Sequence, residues 1–434
     1  MSESPRPQIA IVGSGPSGSY VAGALRRRLP LAEIVIFDRL CTPFGLVRYG
    51  VAPDHQHTKT ITRQFERMYL EGGVRFAGNI EIGQDVTLDQ LRSAFHVVVL
   101  ATGLDADRPL SIPGADLPGV LRAGPLTRAF NSHPDEPAAL PEFGDHAVVI
   151  GAGNVAIDIA RLLLKTSADF HGSDVDDAML DGYLRNPVRS IDVVSRSPLV
   201  DAKADAAMLR ELGTIGGVNF SASSDHESGD DASPEARRRI AAVDELIARP
   251  KDDDARVDVH FSFGATPVSI NGDDRVRSVT FRDSHGRSFE IIASSVISAI
   301  GFVPRADALG TGLSFETATG RLAEGLYGTG WFHRGAVGAI PENRADALRV
   351  VDELVADLGE RSLPLRAGYS ALPADVRENA VDYSDWLRLD TVERTGVSES
   401  RIRKKIRDRA TITSLVRASS SHDLESSINT EECS

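Results

Sequence analysis

The chain has 434 residues, of which 41% are hydrophobic and 25% charged, and its net charge is −14. This length exceeds what one hydrophobic core usually fills, so two or three domains are expected. No apolar run is long enough to span a membrane, and the acidic balance argues against a general nucleic-acid-binding protein, which needs a basic face. No signal-peptide pattern precedes the first strand pattern, which predicts a cytoplasmic location.

The first part of the chain alternates buried strands with helices. Strands are predicted at residues 8–12, 33–38 and 96–103, with a helix at residues 17–28 after the first of them. A glycine-rich turn, GSGPSG, separates that first strand from the helix. This order is typical of a parallel sheet with helices on both faces.

The same pattern restarts after a proline-rich stretch. Strands are predicted at 147–151 and 190–197, with a helix at 157–165 that follows a second glycine turn, GAGNVA. Residues 221–236 are polar and predict a mobile surface insertion, whereas VDVHFSF and VRSVTFRD alternate as antiparallel strands do. The predicted class is α/β with two Rossmann-like dinucleotide-binding domains, the first of them discontinuous. The first domain is predicted at residues 1–108 and 320–417, the second at 109–319, and a disordered tail at 418–434.

The first glycine turn has the spacing of a dinucleotide fingerprint. Gly13 allows the tight turn, Gly15 lets the backbone approach a pyrophosphate, and Gly18 lets the helix pack close to the strand. Asp38 follows twenty residues after Gly18, at the end of the second strand, where a carboxylate can accept hydrogen bonds from a ribose diol. These residues together predict a nucleotide with a free ribose diol, such as FAD.

The second glycine turn is followed by a different strand end. The strand after it ends in Ser195–Arg196–Ser197 and carries no acid. An arginine with flanking hydroxyls attracts a 2′-phosphate, so this turn leans toward NADPH. The alternative is that Arg196 is a solvated loop arginine.

Four stretches resemble one protein family. PFGLVRYGVAPDH at residues 43–55, the signature loop, resembles that of adrenodoxin reductase-like ferredoxin–NADP+ reductases, which have the two-dinucleotide-domain architecture of glutathione reductase. Residues 153–164 resemble the NADP turn and helix of that family, and residues 189–212 its phosphate-recognition segment. Residues 326–347, the closing segment, resemble the part of the family that runs under the flavin.

The resemblance implies roles for individual residues. Those that would bind FAD are Gly13, Gly15, Ser17, Gly18, Asp38, Gly45, Leu46, Ile82, Trp331, Gly338, Ala339 and Ile340. Those that would bind the pyridine nucleotide are Ala152, Gly153, Asn154, Val155, Arg196 and Ser197. Ser197 stands where the family has a second arginine, so NADH remains possible beside NADPH. His55 would either exchange protons at the flavin edge or hold the loop by a structural hydrogen bond.

The implied activity is electron transfer from NAD(P)H through FAD to a ferredoxin-type iron–sulfur protein, which in turn supplies a cytochrome P450 or another oxygenase. A dithiol mechanism lacks its residues, because Cys41 and Cys433 are far apart and there is no CxxC; no metal site is predicted. An acidic ferredoxin would dock on basic residues, for which Arg237, Arg238 and Arg239 are candidates and 401–409 a weaker one. The alternatives are a flavin oxidase or monooxygenase and a non-catalytic nucleotide sensor.

Overall fold

The computed structural model describes residues 6–223, 232–305, 309, 312–338, 340–360 and 362–418. The chain forms two compact units, and the first contains residues 1–51, 55–106 and 302–434. The second contains residues 52–54 and 107–301. Residues 419–434 of the predicted tail, and residues 224–231 of the predicted insertion, lie outside the described part of the chain.

The first unit is built on a six-stranded sheet. From edge to edge its strands are Arg321–Ala323, Leu326–Gly328, Val97–Leu100, Gln8–Val12, Glu33–Phe37 and Arg75–Ala77. Every neighbouring pair is parallel except the first, which is antiparallel. The helices of this unit are Pro16–Arg28, Leu46–Tyr49, Gln56–Lys59, Thr62–Leu70, Leu88–Ala94, Trp331–Arg334, Ile340–Gly359, Ala374–Asn379, Tyr383–Arg394 and Arg409–Ala418, with a 3-10 turn at Gly368–Ala371.

The central strand shows why both faces of this sheet are covered. Ile9 and Ile11 are buried in one hydrophobic cluster, while Ala10 and Val12 are buried in another. Side chains alternate between the two faces of a strand, so a strand that is apolar at every position needs helices on both sides. Pro16–Arg28 and Ile340–Gly359 pack against each other on the first face.

The second unit repeats this arrangement with an entirely parallel sheet. Its strand order is Val120–Arg122, Ser295–Ser298, His146–Ile150, Ser190–Ser195, Val257–Phe263 and Val218–Ala222. A separate antiparallel sheet contains Thr266–Asn271, Ser278–Arg282 and Ser288–Ile292. The helices are Ala123–Phe130, Asn154–Leu164, Asp177–Leu184, Ala206–Leu212 and Pro234–Ile247, with 3-10 turns at Ala168–Phe170 and Leu199–Asp201.

The predicted α/β class and Rossmann-like parallel sheets are confirmed, but one strand was assigned to the wrong sheet. VDVHFSF and VRSVTFRD were both expected to be antiparallel strands, but Val257–Phe263 joins the parallel sheet and of the two only Ser278–Arg282 is antiparallel. Val257, Val259, Phe261 and Phe263 are buried in one hydrophobic cluster while Asp258 on the other face is exposed, so this parallel strand carries the same alternation as an antiparallel one. Alternation in the sequence described one face of this strand and not its neighbours.

The chain returns to the first unit earlier than the predicted boundary at residue 319. The last strand of the second parallel sheet is Ser295–Ser298, and the first unit resumes at Phe302. Two short strands, Ala106–Asp107 and Phe302–Val303, occur where the chain passes from one unit to the other. The cofactor that each unit holds stays a prediction at this point. Among the described residues, no helix combines the length and apolarity that crossing a membrane would require.

Candidate nucleotide-binding sites

The first glycine turn has the geometry of a phosphate cradle. Gly13 has φ +110°, and a Cβ placed on it would lie 2.4 Å from the carbonyl oxygen of Ala101. A Cβ on Gly18 would lie 2.0 Å from the carbonyl oxygen of Gly13, whereas one on Gly15 would meet no atom within 4 Å. Gly13 and Gly18 are therefore required by the fold itself, and Gly15 leaves open space in front of the helix.

The helix after this turn begins without a cap of its own. Gly15 is the N-cap of Pro16–Arg28, no side chain accepts a hydrogen bond there, and the first turn carries no acid. The first N–H groups of a helix are unsatisfied inside the helix, and its N-terminus is partly positive. These residues fit the pyrophosphate of a dinucleotide.

Asp38 lies beside this turn, as its position at a strand end predicted. Its Oδ2 accepts a hydrogen bond from the Ser14 amide at 2.9 Å and another from the Ser14 hydroxyl, and its Oδ1 accepts one from the Leu40 amide. A carboxylate has about four acceptor positions, so capacity for a ribose hydroxyl remains. Asp38 thus holds the glycine turn in place, and its contact with a ribose stays a prediction.

The signature loop reaches the same turn. Phe44 and Gly45 have positive φ values, and a Cβ on Gly45 would lie 3.0 Å from the Cα of Gly15. The stretch expected to be an irregular loop contains one helical turn, Leu46–Tyr49. Leu46 is 42% exposed although its neighbour Val47 is buried. An apolar side chain left open beside the cradle is what a wall for a flat apolar ring requires.

The closing segment meets the start of the first helix. A Cβ on Gly330 would lie 2.0 Å from the Oγ of Ser17. The indole of Trp331 stacks on the ring of Phe302 with centroids 5.9 Å apart, and its Nε1 donates to the carbonyl oxygen of Gly338 at 3.2 Å. Ile340 begins the following helix, and Ala339 lies outside the described residues. Ser17, Trp331 and Gly338 thus lie in one connected part of the unit.

Asp346 organises this segment and was not predicted. Its fully buried carboxylate accepts hydrogen bonds from the Gly330 amide at 2.6 Å and the Thr329 hydroxyl at 3.1 Å, and it pairs with Arg334 at 2.7 Å. Burial would raise the pKa of Asp346, but the Gly330 hydrogen bond and the Arg334 charge outweigh it and hold the pKa below its usual value. The sequence signal that could have found Asp346 is a carboxylate at a helical spacing that places it on the apolar, buried face of helix Ile340–Gly359.

Two other predicted residues are less closely tied to the cradle. Ile82 is buried in the hydrophobic cluster that contains Val12 and Leu100. His55 is half-buried and is the N-cap of the short helix Gln56–Lys59, where its side chain accepts no capping hydrogen bond. Neither role predicted for His55 is decided by this placement.

The second glycine turn is built like the first. Gly151 has φ +123°, its amide donates to the carbonyl oxygen of Val194 at 2.8 Å, and a Cβ on it would lie 2.3 Å from the carbonyl oxygen of Ala299. Gly153 is the N-cap of Asn154–Leu164, again without a side-chain cap or an acid in the first turn. This turn therefore also fits a pyrophosphate.

The predicted pyridine-nucleotide residues lie in this turn, at the start of its helix and just after the end of the neighbouring strand. Ala152 is buried and Val155 half-buried, so they form its apolar backing. The side-chain amide of Asn154 donates to the carboxylate of Asp205 at 2.6 Å, and its Oδ1 accepts from the Asp205 amide. Arg196 is exposed directly after strand Ser190–Ser195, next to half-buried Ser197.

A buried ion-pair cluster lies on the helix that this turn begins. The Arg161 side chain is fully buried, and it pairs with Asp54, Asp158 and Glu211. Lys165 also pairs with Asp54. Burial would raise the pKa of Asp54, but the hydrogen bond and charge of Arg161 outweigh this and hold it far below its usual range. Asp54 thus belongs to the second unit, although sequence reasoning placed it in the loop of the first.

The predicted docking arginines have unequal surroundings. Arg239 donates to the carbonyl oxygens of Ala204 at 2.8 Å and Val200 at 2.9 Å, so it stabilises its own unit. Arg237 donates to the carbonyl oxygen of Ala232, and Arg238 pairs with Glu235; both arginines are exposed. The docking role of these residues stays a prediction, which Arg237 and Arg238 fit better than Arg239.

The weaker docking candidate at residues 401–409 is largely used inside the first unit. Lys405 is buried and donates to the carbonyl oxygen of Arg48 at 3.1 Å. Arg403 pairs with Asp390 at 2.5 Å and with Glu393 at 3.1 Å. Charges that are buried and paired in this way do not form an exposed docking surface.

Three comparisons with known proteins agree with this geometry. Residues 7–323 match the family model described as pyridine nucleotide-disulphide oxidoreductase. The chain is 42% identical to cindoxin reductase of Citrobacter braakii, over 95% of this chain and 91% of that protein. It is 32% identical to the mitochondrial NADPH:adrenodoxin oxidoreductase of Arabidopsis thaliana, over 93% and 94% of the two chains.

A solved structure extends this agreement to the fold. FprA of Mycobacterium tuberculosis in complex with NADPH superposes with a TM-score of 0.86 and 30% identity, covering 95% of this chain and all of that one. The predicted family, fold and enzyme class are confirmed. The chain therefore belongs to the pyridine nucleotide-disulphide oxidoreductase family, on its adrenodoxin reductase-like branch.

Proposed function

We propose that this oxidoreductase carries electrons from NADPH through FAD to an iron–sulfur protein of the ferredoxin type. The observation that carries the proposal is the pair of glycine turns, each at the carboxyl edge of its own parallel sheet and each followed by an uncapped helix. The relatives are an NADPH:adrenodoxin oxidoreductase and a cindoxin reductase, which agrees with this function.

FAD belongs in the first unit. Gly13, Gly15 and Ser17 hold its pyrophosphate, and Asp38 accepts a ribose hydroxyl. The apolar side chains of Leu46 and Trp331 exclude water from the ring. When bound, FAD would supply the redox chemistry that couples a two-electron hydride donor to a one-electron acceptor.

NADPH belongs in the second unit. The turn Ala152–Gly153 and the start of the helix at Asn154 hold its pyrophosphate. Arg196 is an exposed guanidinium at the adjacent strand end, where it pairs with the 2′-phosphate. With Ser197 in the neighbouring position, NADH also reduces the enzyme, but less efficiently.

No protein thiol takes part. Cys41 is a buried free cysteine, and burial raises the pKa of its thiol, which lowers its reactivity. Cys433 lies outside the described residues. A thiol relay is therefore not part of the proposed route, and the partner would be oriented by complementary charge on this chain's surface.

The test is an anaerobic titration of the purified, FAD-loaded chain. NADPH is expected to bleach the flavin absorbance, and an added ferredoxin is expected to restore it. Fast NADPH consumption with oxygen alone would indicate a flavin oxidase or monooxygenase instead. A chain that binds nucleotide but is never reduced would be a sensor, and a chain that never retains FAD would contradict the proposal.

A further inference from the structure

Lys203 lies beside the second glycine turn, where no dinucleotide fingerprint requires a cation. Its amide donates to the carbonyl oxygen of Ala152 at 3.2 Å, and it forms an isolated parallel bridge with Gly153. A Cβ on Gly153 would lie 3.9 Å from the Cβ of Lys203. The side chain of Lys203 therefore starts next to the residue that caps helix Asn154–Leu164.

The backbone around Lys203 is held from two sides. Arg239 donates to the carbonyl oxygens of Leu199, Val200 and Ala204, the segment that leads into and out of Lys203. The reciprocal pair between Asn154 and Asp205 fixes the residues that follow. Hydrogen bonds thus hold the backbone before and after Lys203, whereas the Lys203 side chain is exposed.

The charges near this turn make a cation useful. Asp201 and Asp205 flank Lys203 in the sequence. The Asp205 carboxylate accepts a hydrogen bond from Asn154, the first residue of helix Asn154–Leu164. An incoming pyrophosphate would be repelled by the Asp205 carboxylate unless a positive charge offsets it. Within the described parts of the chain, the Lys203 ammonium forms no ion pair, so it is available for this purpose.

We propose that the ammonium of Lys203 binds the pyrophosphate of the pyridine nucleotide. The inference rests on the proposed function, which brings the nucleotide to this turn. A lysine carries a point charge on a flexible four-carbon stem, which suits a phosphate without fixed geometry. Lys203 supplies the charge that an uncapped helix N-terminus provides only in part.

Lys203 and Arg196 are assigned to different phosphates of NADPH, the first to the pyrophosphate and the second to the 2′-phosphate. Lys203 is bridged to Gly153 at the start of the helix, which is the pyrophosphate position. Arg196 follows the end of strand Ser190–Ser195, which is the 2′-phosphate position. Lys203 therefore acts equally on NADPH and NADH, and Arg196 acts on NADPH alone.

The experiment compares Lys203→Met with Lys203→Arg and Arg196→Met in the FAD-loaded chain. Dissociation constants of NADP+ and NAD+ are measured by calorimetry at a low and a high salt concentration, and FAD content and melting temperature verify folding. Lys203→Met is expected to weaken both nucleotides by the same factor, about five- to tenfold for one exposed charge-assisted hydrogen bond. Lys203→Arg is expected to restore most of the affinity, and Arg196→Met to weaken NADP+ alone.

The outcomes are distinct. Unchanged affinities in Lys203→Met, or a loss confined to NADP+, would overturn the assignment to the pyrophosphate. A lower salt dependence of binding in Lys203→Met, for both nucleotides, would support it. If the unsubstituted chain binds neither nucleotide, the proposed function itself fails, and this result differs from one in which only the variants behave unexpectedly.

Discussion

The guanidinium of Arg48 and the carboxylate of Glu393 form a buried ion pair at 2.5 Å, with side chains 4% and 0% exposed. The Arg48 guanidinium lies over the ring of Trp386 at 4.8 Å, and the second oxygen of Glu393 pairs with Arg403 at 3.1 Å. Desolvation would lower the pKa of Arg48, but the charge of Glu393 outweighs it and raises the pKa. The pair joins the signature loop to helix Tyr383–Arg394, 345 residues further along the chain.

Removal of one member of this pair is expected to lower the unfolding free energy strongly. Glu393→Ala leaves the buried, charged Arg48 without its carboxylate partner, which costs about 3–5 kcal/mol of unfolding free energy. Because Leu46 lies on the same helical turn as Arg48, we also expect weaker retention of FAD. Chemical unfolding and the FAD content of the purified variant measure both effects.

The first unit offers a matched control for that prediction. Arg28 and Asp352 form an ion pair whose side chains are 51% and 64% exposed. Asp352→Ala is therefore expected to change stability by about 1 kcal/mol or less and to leave FAD binding unchanged. Equal losses in Glu393→Ala and Asp352→Ala would contradict the special role of the buried pair.

Substitutions of the second and third glycines of the first turn, Gly15 and Gly18, are expected to have different effects on stability and FAD binding. The methyl group of Gly15→Ala meets no atom within 4 Å, so the unfolding free energy of the FAD-free variant should change by about 0.5 kcal/mol at most. Its methyl group would occupy the space of the pyrophosphate, so FAD binding should fall. Gly18→Ala drives a methyl group to 2.0 Å from the Gly13 oxygen and should cost about 1–3 kcal/mol. Melting curves of the FAD-free protein and FAD titration separate the two cases; a Gly15→Ala variant with normal FAD affinity would refute the cradle.

Acid stability is expected to depend on Asp54. The native pKa of Asp54 is depressed by Arg161 and Lys165, so its contribution is present above the unfolded pKa of about 4 and is lost as pH falls toward the lower native value. Asp54→Asn should therefore destabilise the protein near neutral pH and flatten the decline of unfolding free energy below pH 4. Urea unfolding at a series of pH values gives this slope. Asp181→Asn, at an exposed position, serves as the control, and parallel slopes for Asp54→Asn and the unsubstituted chain would disprove the linkage.

Electron transfer is expected to continue without cysteine. The double variant Cys41→Ala, Cys433→Ala should keep the rate at which NADPH reduces a one-electron acceptor, because no thiol lies on the route that we propose. Cys41 is buried, so a stability loss of about 1 kcal/mol is expected from the lost packing. Stopped-flow reduction of the flavin, followed by acceptor reduction, measures the rate. A flavin that is reduced normally but can no longer pass electrons on would point to a thiol relay.

Local pattern predicted part of the site and missed the rest for an identifiable reason. Gly13, Gly18 and Gly151 were recognised because a tight turn and a close helix leave no room for Cβ, a constraint that acts within a few residues. Asp346, Lys203 and Glu393 were missed because their roles depend on partners that no local pattern names. The hydrogen bonds of Arg239 to carbonyl oxygens of its own unit were also missed, because a run of arginines has the same sequence pattern whether its side chains face solvent or backbone carbonyls.

The amino-acid sequence alone determined that this chain contains two strand–glycine turn–helix modules and a flavoprotein-like signature loop. Backbone sterics and apolar periodicity depend on residues that are close together in the chain, so short stretches are enough to predict them. Only the tertiary structure decided that Val257–Phe263 joins the parallel sheet, that Lys405 is buried behind the signature loop, and that Lys203 lies beside Gly153. Those placements depend on burial and hydrogen-bond partners that are distant in the chain, and a local pattern does not encode which distant partner a polar side chain meets.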